Sequence, residues 1–265
     1  MRWQQGQWHQ VPADPIAPEA PLAIRLLYDT TDARRSLDFA ITMRSPGADK
    51  ALVLGYLYSE GIIQRADQVE RIELASEEAA NVYLSTEVSF DPAAYQRVGY
   101  ANSSCGLCGK ADLGQIQQTI PFFPAKAKPR VSPELVRQLP ATLLQHQQLF
   151  AETGGIHATA LFDENGQLLH LTEDVGRHNA LDKLIGRALQ EGQFPWRKNI
   201  ILLSGRISYE LVQKAAMAGT PIVAAIGAPS SAAIKLAEAT GMTLVGFLKE
   251  DRMNVYTYPE RLVEA

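Results

Sequence analysis

From residue 157 onward the chain alternates short apolar runs with amphipathic stretches, and this rhythm restricts the possible fold more than any other feature. The runs at 157–162, 168–171, 199–203, 221–226 and 243–248 have the length of strands. Between them, 179–190, 208–218 and 230–239 carry helical spacing, with Gly219 and Gly241 placed where a helix would stop. Asp163-Glu164-Asn165-Gly166 reads as the turn joining the first two strands. Such alternation predicts an α/β layer with helices covering a sheet.

The first half is less regular. Strands are predicted at 22–28, 36–43, 69–74 and 80–84, and a helix at 48–59 that stops at Gly61. Residues 1–20 are rich in Pro and Ala and read as an irregular lead-in. Pro121, Pro124 and Pro129, with Lys126, Lys128 and Arg130 among them, mark a boundary. A helix over 132–148 should follow, capped by Ser132 with Pro133 in its first turn. The expected division is a smaller α+β lobe over 1–120 and an α/β domain over 121–265.

Charge limits the partners. The formal net charge is -4, which argues against binding duplex nucleic acid. No apolar run approaches the length of a membrane span, so no membrane association is expected. The opening Met1-Arg-Trp-Gln lacks the apolar core of an export signal, and a cytoplasmic location is expected. Thiols there stay reduced. The two cysteines, Cys105 and Cys108, therefore point to chemistry rather than to a staple.

In Asn102-Ser-Ser-Cys-Gly-Leu-Cys-Gly109, a Cys-x-x-Cys pair brings two sulfurs close enough to cooperate. Gly106 and Gly109 leave the backbone free near the sulfurs, and Lys110 can favour a thiolate. Four readings stand: a structural metal site, a redox pair, buried inert thiols, or nucleophilic carrier chemistry. A tetrahedral zinc site needs further ligands beyond two cysteines, and no metal site is expected.

A second polar cluster lies in the second half: Gly154-Gly155-Ile-His157, Glu173-Asp-Val-Gly-Arg177-His178-Asn179 and Ser204-Gly-Arg206. In an open α/β sheet, residues just beyond strand ends gather into a ligand crevice. Arg177 and Arg206 can hold phosphate or pair with acids. His178 can transfer a proton, bond a ligand or cap a polar knot at a helix entrance. Glu173 and Asp174 can orient it or meet an amine-rich ring edge. His157 reads equally as a structural histidine, and Ser208 as a helix cap. No Walker A or Rossmann glycine pattern occurs, so ATPase and dinucleotide dehydrogenase readings are weak.

With these stretches in order, the chain resembles the FdhD/NarQ family of formate dehydrogenase accessory sulfurtransferases. The resemblance rests on Glu60-Gly-Ile-Ile63, Cys105-Gly-Leu-Cys-Gly109, Thr153-Gly-Gly-Ile-His157, Glu173-Asp-Val-Gly-Arg-His-Asn-Ala-Leu-Asp-Lys183, Ser204-Gly-Arg206, Ala228-Pro229 and Gly246-Phe247. It implies a cytidine-deaminase-like three-layer α/β domain with a mixed sheet, plus a smaller α+β lobe carrying the Cys-x-x-Cys loop. It also implies a homodimeric persulfide carrier that takes sulfur from a cysteine desulfurase. The acceptor would be the molybdenum bis(molybdopterin guanine dinucleotide) cofactor before its insertion into formate dehydrogenase.

Cys105 and Cys108 would carry the sulfur, Cys105 principally. The cofactor-binding segment corresponds to Phe247, Leu248, Lys249, Glu250, Asp251 and Arg252, with Arg177, His178 and Arg206 beside the nucleotide or phosphates. Deamination is not implied, because the second half has no cysteine to complete a zinc site.

Overall fold

The computed structural model describes residues 1–10, 12–92, 120–124 and 128–263. The lead-in holds a hairpin, β1 (Arg2–Gln4) and β2 (Gln7–His9), where the sequence suggested irregular chain. Gln5 and Gly6 both have positive φ, the geometry of a tight two-residue turn. Across it Trp3 and Trp8 meet edge to face at 5.3 Å. Glutamine is not a usual residue for that turn, which hid the hairpin.

Four strands follow: β3 (Ala20–Asp29), β4 (Arg34–Arg44), β5 (Val69–Ser76) and β6 (Ala79–Leu84). They form one sheet in the order β4-β3-β6-β5, with only β3 and β6 parallel. Its inner face buries Leu22, Ile24, Leu26, Ala80, Val82 and Leu84. Against that cluster packs α1 (Asp49–Ser59). This helix is apolar nearly all round, as a helix buried on two sides must be.

The second half opens with α2 (Pro133–His146), where Ser132 Oγ accepts from the Leu135 N–H at 3.1 Å. The expected single helix breaks at Gln147 and resumes as α3 (Gln148–Thr153), ended by Gly154 in left-handed geometry. Then come β7 (His157–Phe162), β8 (Leu168–Asp174), α4 (Arg177–Gln190), β9 (Ile200–Leu203), α5 (Tyr209–Met217), β10 (Ile222–Ala225), α6 (Ser231–Thr240), β11 (Thr243–Gly246) and β12 (Asn254–Thr257). The strand β12 was not predicted; its side chains are half exposed and only four residues long.

These strands make a mixed six-stranded sheet, β12-β11-β10-β9-β7-β8. The central β9, β10 and β11 are parallel, and β7, β8 and β12 are antiparallel to their neighbours. One face packs Ile201, Leu203, Val223 and Leu244 with α4, α5 and α6; the other packs Ala160, Leu202 and Ala224 with α2. Because α1 also packs on α4, the cluster on the first face continues into the four-stranded sheet. Gly55 and Gly186 face each other where α1 crosses α4; a Cβ on either would overlap the backbone of the opposite helix, at Asp182 and Ala51 respectively.

Candidate functional site

Strand direction gathers the polar segments at one edge of the six-stranded sheet. The parallel β9, β10 and β11 end there, at Leu203, Ala225 and Gly246. Since β7 runs the other way, it begins at that edge with His157, and β8 returns to it with Asp174 opposite His157. The loops beyond are tied by backbone bonds: the Gly227 N–H donates to the Gly205 carbonyl at 3.1 Å, and the Phe247 N–H to the Gly227 carbonyl at 3.0 Å. A Cβ at Gly227 would lie 2.7 Å from the Gly205 oxygen, so this approach requires a residue without a side chain.

Between this edge and α2 opens a cavity of about 1020 Å³, lined among others by Arg137, Leu144, Phe150, His157, Ser204 and Glu250. It stands at the top of the usual range for small-molecule sites and accommodates a large ligand. Sequence reasoning found His157, Ser204 and Glu250 but not the helical wall, because the spacing of α2 reads simply as amphipathic.

The turn Glu173–Asn179 is fixed from several sides. Glu173 accepts from the Leu149 and Phe150 N–H groups, each at 2.9 Å, and so caps α3. The fully buried Asp174 pairs with Lys183 at 2.7 Å and accepts from the Ser45 N–H at 3.1 Å and the Gly176 N–H at 2.8 Å. Asn179 donates to the Met43 carbonyl at 2.7 Å. Both acids are therefore engaged in holding the backbone, where sequence reasoning had them orienting His178 or meeting a ligand. Arg177, which starts α4, keeps its buried Nε without a partner among the described residues.

His178 Nε2 lies 3.0 Å from Ser208 Oγ and 4.0 Å from Glu210 Oε2. Ser208 does occupy the cap position of α5, but its hydroxyl makes no capping bond. Burial, with Arg177, Lys214 and His157 adding positive charge, pushes the His178 pKa down to about 3. The ring is neutral at physiological pH and is a poor proton acceptor there. Its geometry suits a fixed hydrogen-bonding role.

A pH signature follows. The unfolded chain, with histidine near 6.5, binds more protons than the folded one between about 3 and 6.5. Stability from this group is full above that window and is lost as the pH falls through it, with a slope approaching about 1.4 kcal/mol per pH unit. Replacing His178 with glutamine should flatten the denaturant midpoint as a function of pH across the window. An unchanged slope would assign the acid sensitivity to other groups.

In the 247–252 segment, Phe247 is exposed with φ of 51°, whereas the Leu248 side chain is buried in the core and its N–H donates to the Ala225 carbonyl at 3.0 Å. Lys249 to Arg252 form a tight exposed turn, closed by the Lys249 N–H on the Arg252 carbonyl at 2.8 Å. Glu250 reaches the cavity, and Arg206 stands exposed on the loop after β9. Cys105 and Cys108 lie outside the described residues. Among the described residues, no group of three His, Cys, Asp or Glu is placed to hold a metal ion. None of the described helices is long and apolar enough to cross a membrane.

Fold and site together define a mixed α/β protein with a large ligand cavity at the strand ends of its main sheet. The model of the FdhD/NarQ family matches residues 19–263, and the chain belongs to that family. The sulfur carrier protein FdhD of Streptomyces avermitilis is 45% identical over 259 residues, covering 94% of this chain and 89% of the relative. Its counterpart of that name in Sulfurisphaera tokodaii is 44% identical over 250 residues, covering 94% and 92%. A crystal structure of a proposed formate dehydrogenase accessory protein from Desulfotalea psychrophila matches with a TM-score of 0.71 at 25% identity, covering 94% of this chain and 91% of the other.

Proposed function

We propose that this chain is a sulfur carrier that receives sulfane sulfur from a cysteine desulfurase on Cys105 or Cys108. It then passes that sulfur to a molybdenum bis(molybdopterin guanine dinucleotide) cofactor destined for formate dehydrogenase. The observation that carries the reading is the family match over 19–263, which spans the chain's two cysteines. The relatives' names support sulfur carriage, and the large cavity lined by Arg137 and by His157, on which Arg177 and Arg206 act electrostatically, supports a large anionic ligand. The mixed sheet with helices on both faces is compatible with the cytidine-deaminase-like layering expected from sequence. A homodimer in the cytoplasm remains part of the proposal.

In loading, a Cys105 thiolate attacks the terminal sulfur of the donor persulfide, and the donor leaves as a thiolate. In release, Cys108 attacks Sγ of the loaded Cys105, a disulfide forms, and the terminal sulfur departs as hydrosulfide to the acceptor. A cellular dithiol then reduces the disulfide. Cofactor binding in the second half would place the acceptor near the loaded sulfur, and correct placement contributes strongly to rate.

The test is intact-mass and peptide analysis after incubation with a cysteine desulfurase and cysteine. A reducible adduct of one sulfur atom on Cys105 or Cys108 is expected, and is lost when both become alanine. No adduct despite verified desulfurase turnover would sink the proposal. The alternative is a cofactor chaperone without sulfur chemistry. In that case the double alanine variant still binds cofactor and still activates formate dehydrogenase.

A further inference from the structure

We infer that the N-terminal hairpin is an aromatic arm of the cavity, and that its tryptophans stack on a fused-ring heterocycle of the cofactor. The inference rests on the cofactor-binding reading above. It adds to that site a segment outside the family match, which begins only at residue 19. In the hairpin Trp3 stands directly opposite Trp8, and their rings meet edge to face. Each remains more than half exposed, at 58% and 63%. Both strands are exposed along their whole length. A two-stranded hairpin alone is marginal in water, and here the cross-strand tryptophan pair staples it. Two large indole faces are thus held together and kept out of the core.

Two contacts place the hairpin beside the cavity. Arg2 Nη2 bonds Asp14 Oδ1 at 2.8 Å. Three residues further on, the Ala17 Cβ stands 3.9 Å from where a Gly155 Cβ would lie, and Gly155 lines the cavity. Three residues span at most about 10 Å, so the Arg2 bridge lies within that length of chain from the cavity wall. Trp3 is the next residue. Pro12, Pro15 and Pro18 recur every third residue, a spacing that favours a stiff polyproline II strut over a slack tether. The Arg2–Asp14 pair is itself largely exposed, and such pairs hold weakly. The arm can therefore pivot near Ala17 without breaking buried structure.

The cavity has use for such a cover. Its lining supplies one phenyl ring, Phe150, beside the imidazole of His157. A flat heterocycle bound there keeps one face in water unless a second ring closes over it. Tryptophan offers the largest flat face among side chains, and stacking is tolerant of which heterocycle it meets. Guanine and a pterin share the required chemistry, a flat and nitrogen-rich fused ring.

Calorimetry of the full chain with GDP, biopterin and inorganic diphosphate tests the arm. Trp3→Leu with Trp8→Leu keeps an apolar pair across the hairpin but removes the flat rings. Trp3→Phe with Trp8→Phe restores rings of smaller area. The leucine pair should weaken GDP or biopterin about tenfold, and the phenylalanine pair should recover most of that loss. Diphosphate, which has no ring, should bind all three proteins alike. GDP should also quench the tryptophan emission of the wild type but not that of the leucine pair, whose remaining indole, Trp196, is buried.

Loss confined to GDP assigns the stacked ring to guanine, and loss confined to biopterin assigns it to the pterin. Equal affinities in the wild type and the leucine pair overturn the inference and leave the cofactor reading standing. A leucine pair that melts lower and binds diphosphate more weakly too marks the hairpin as structural, and overturns it as well. Failure of the wild-type chain to bind any of the three sinks the cofactor reading itself.

Discussion

A Gly186→Ala variant is expected to melt roughly 6 to 12 °C below the parent, a loss of about 3 kcal/mol or more. The added methyl meets the Ala51 carbonyl of α1, and the reciprocal Gly55→Ala change meets Asp182 of α4. Backbone on either side cannot swing aside as a flexible side chain can. Both helices are also pinned from behind, α1 by the four-stranded sheet and α4 by β7 and β8. Relief requires the helices to separate, and that stretches the bond from Ser59 Oγ to Asp182, now 2.8 Å. Thermal denaturation of the two single variants and the double variant measures the effect. A loss under about 1 kcal/mol in both singles would show that the helix crossing yields to the added methyl.

The second large effect concerns the buried ion pair in the same region. Lys214 Nζ bonds both Asp182 oxygens at 2.9 Å, with both residues buried. Replacing Asp182 with alanine strands the ammonium and orphans the Ser59 hydroxyl. Such breaks cost about 3 to 5 kcal/mol. Replacing both partners, as Asp182→Asn with Lys214→Met, removes the stranded charge and should recover most of that stability. A double variant no better than Asp182→Ala would mean that the Lys214 ammonium acts mainly through the Tyr56 ring, whose centroid lies 5.3 Å from Nζ.

The rhythm of the second half was legible because each parallel strand is buried on both faces, leaving runs such as Ile200–Leu203 wholly apolar. The strands of the first half showed equally well, since one face alternates against α1. What escaped were elements set by short or unusual signals: the Gln5-Gly6 turn, the break at Gln147 and the half-exposed β12. At the site, residue types were visible but their engagements were not. Glu173 caps a helix 23 residues upstream and Asp174 reaches Ser45 across 129 residues, contacts that no local spacing encodes. Leu248 ended the apolar run at 243–248 and also fell in the segment assigned to the cofactor; its side chain is buried in the core beneath the loop. His157 remained undecided in the sequence because the charges that act on it, Arg177 and Arg206, come from other strand ends.

The burial of α1 on two sides bears on synthesis. Its sheet-facing side finds β3 and β6 nearby in the chain, but its other side waits for α4, which begins at Arg177. A nascent chain that has emerged only through β6 therefore carries a helix with one apolar flank open to solvent. Such surface invites association with other chains until the partner is made. Ribosome-bound intermediates of this length should be the ones that holding chaperones engage, and release should coincide with the emergence of α4.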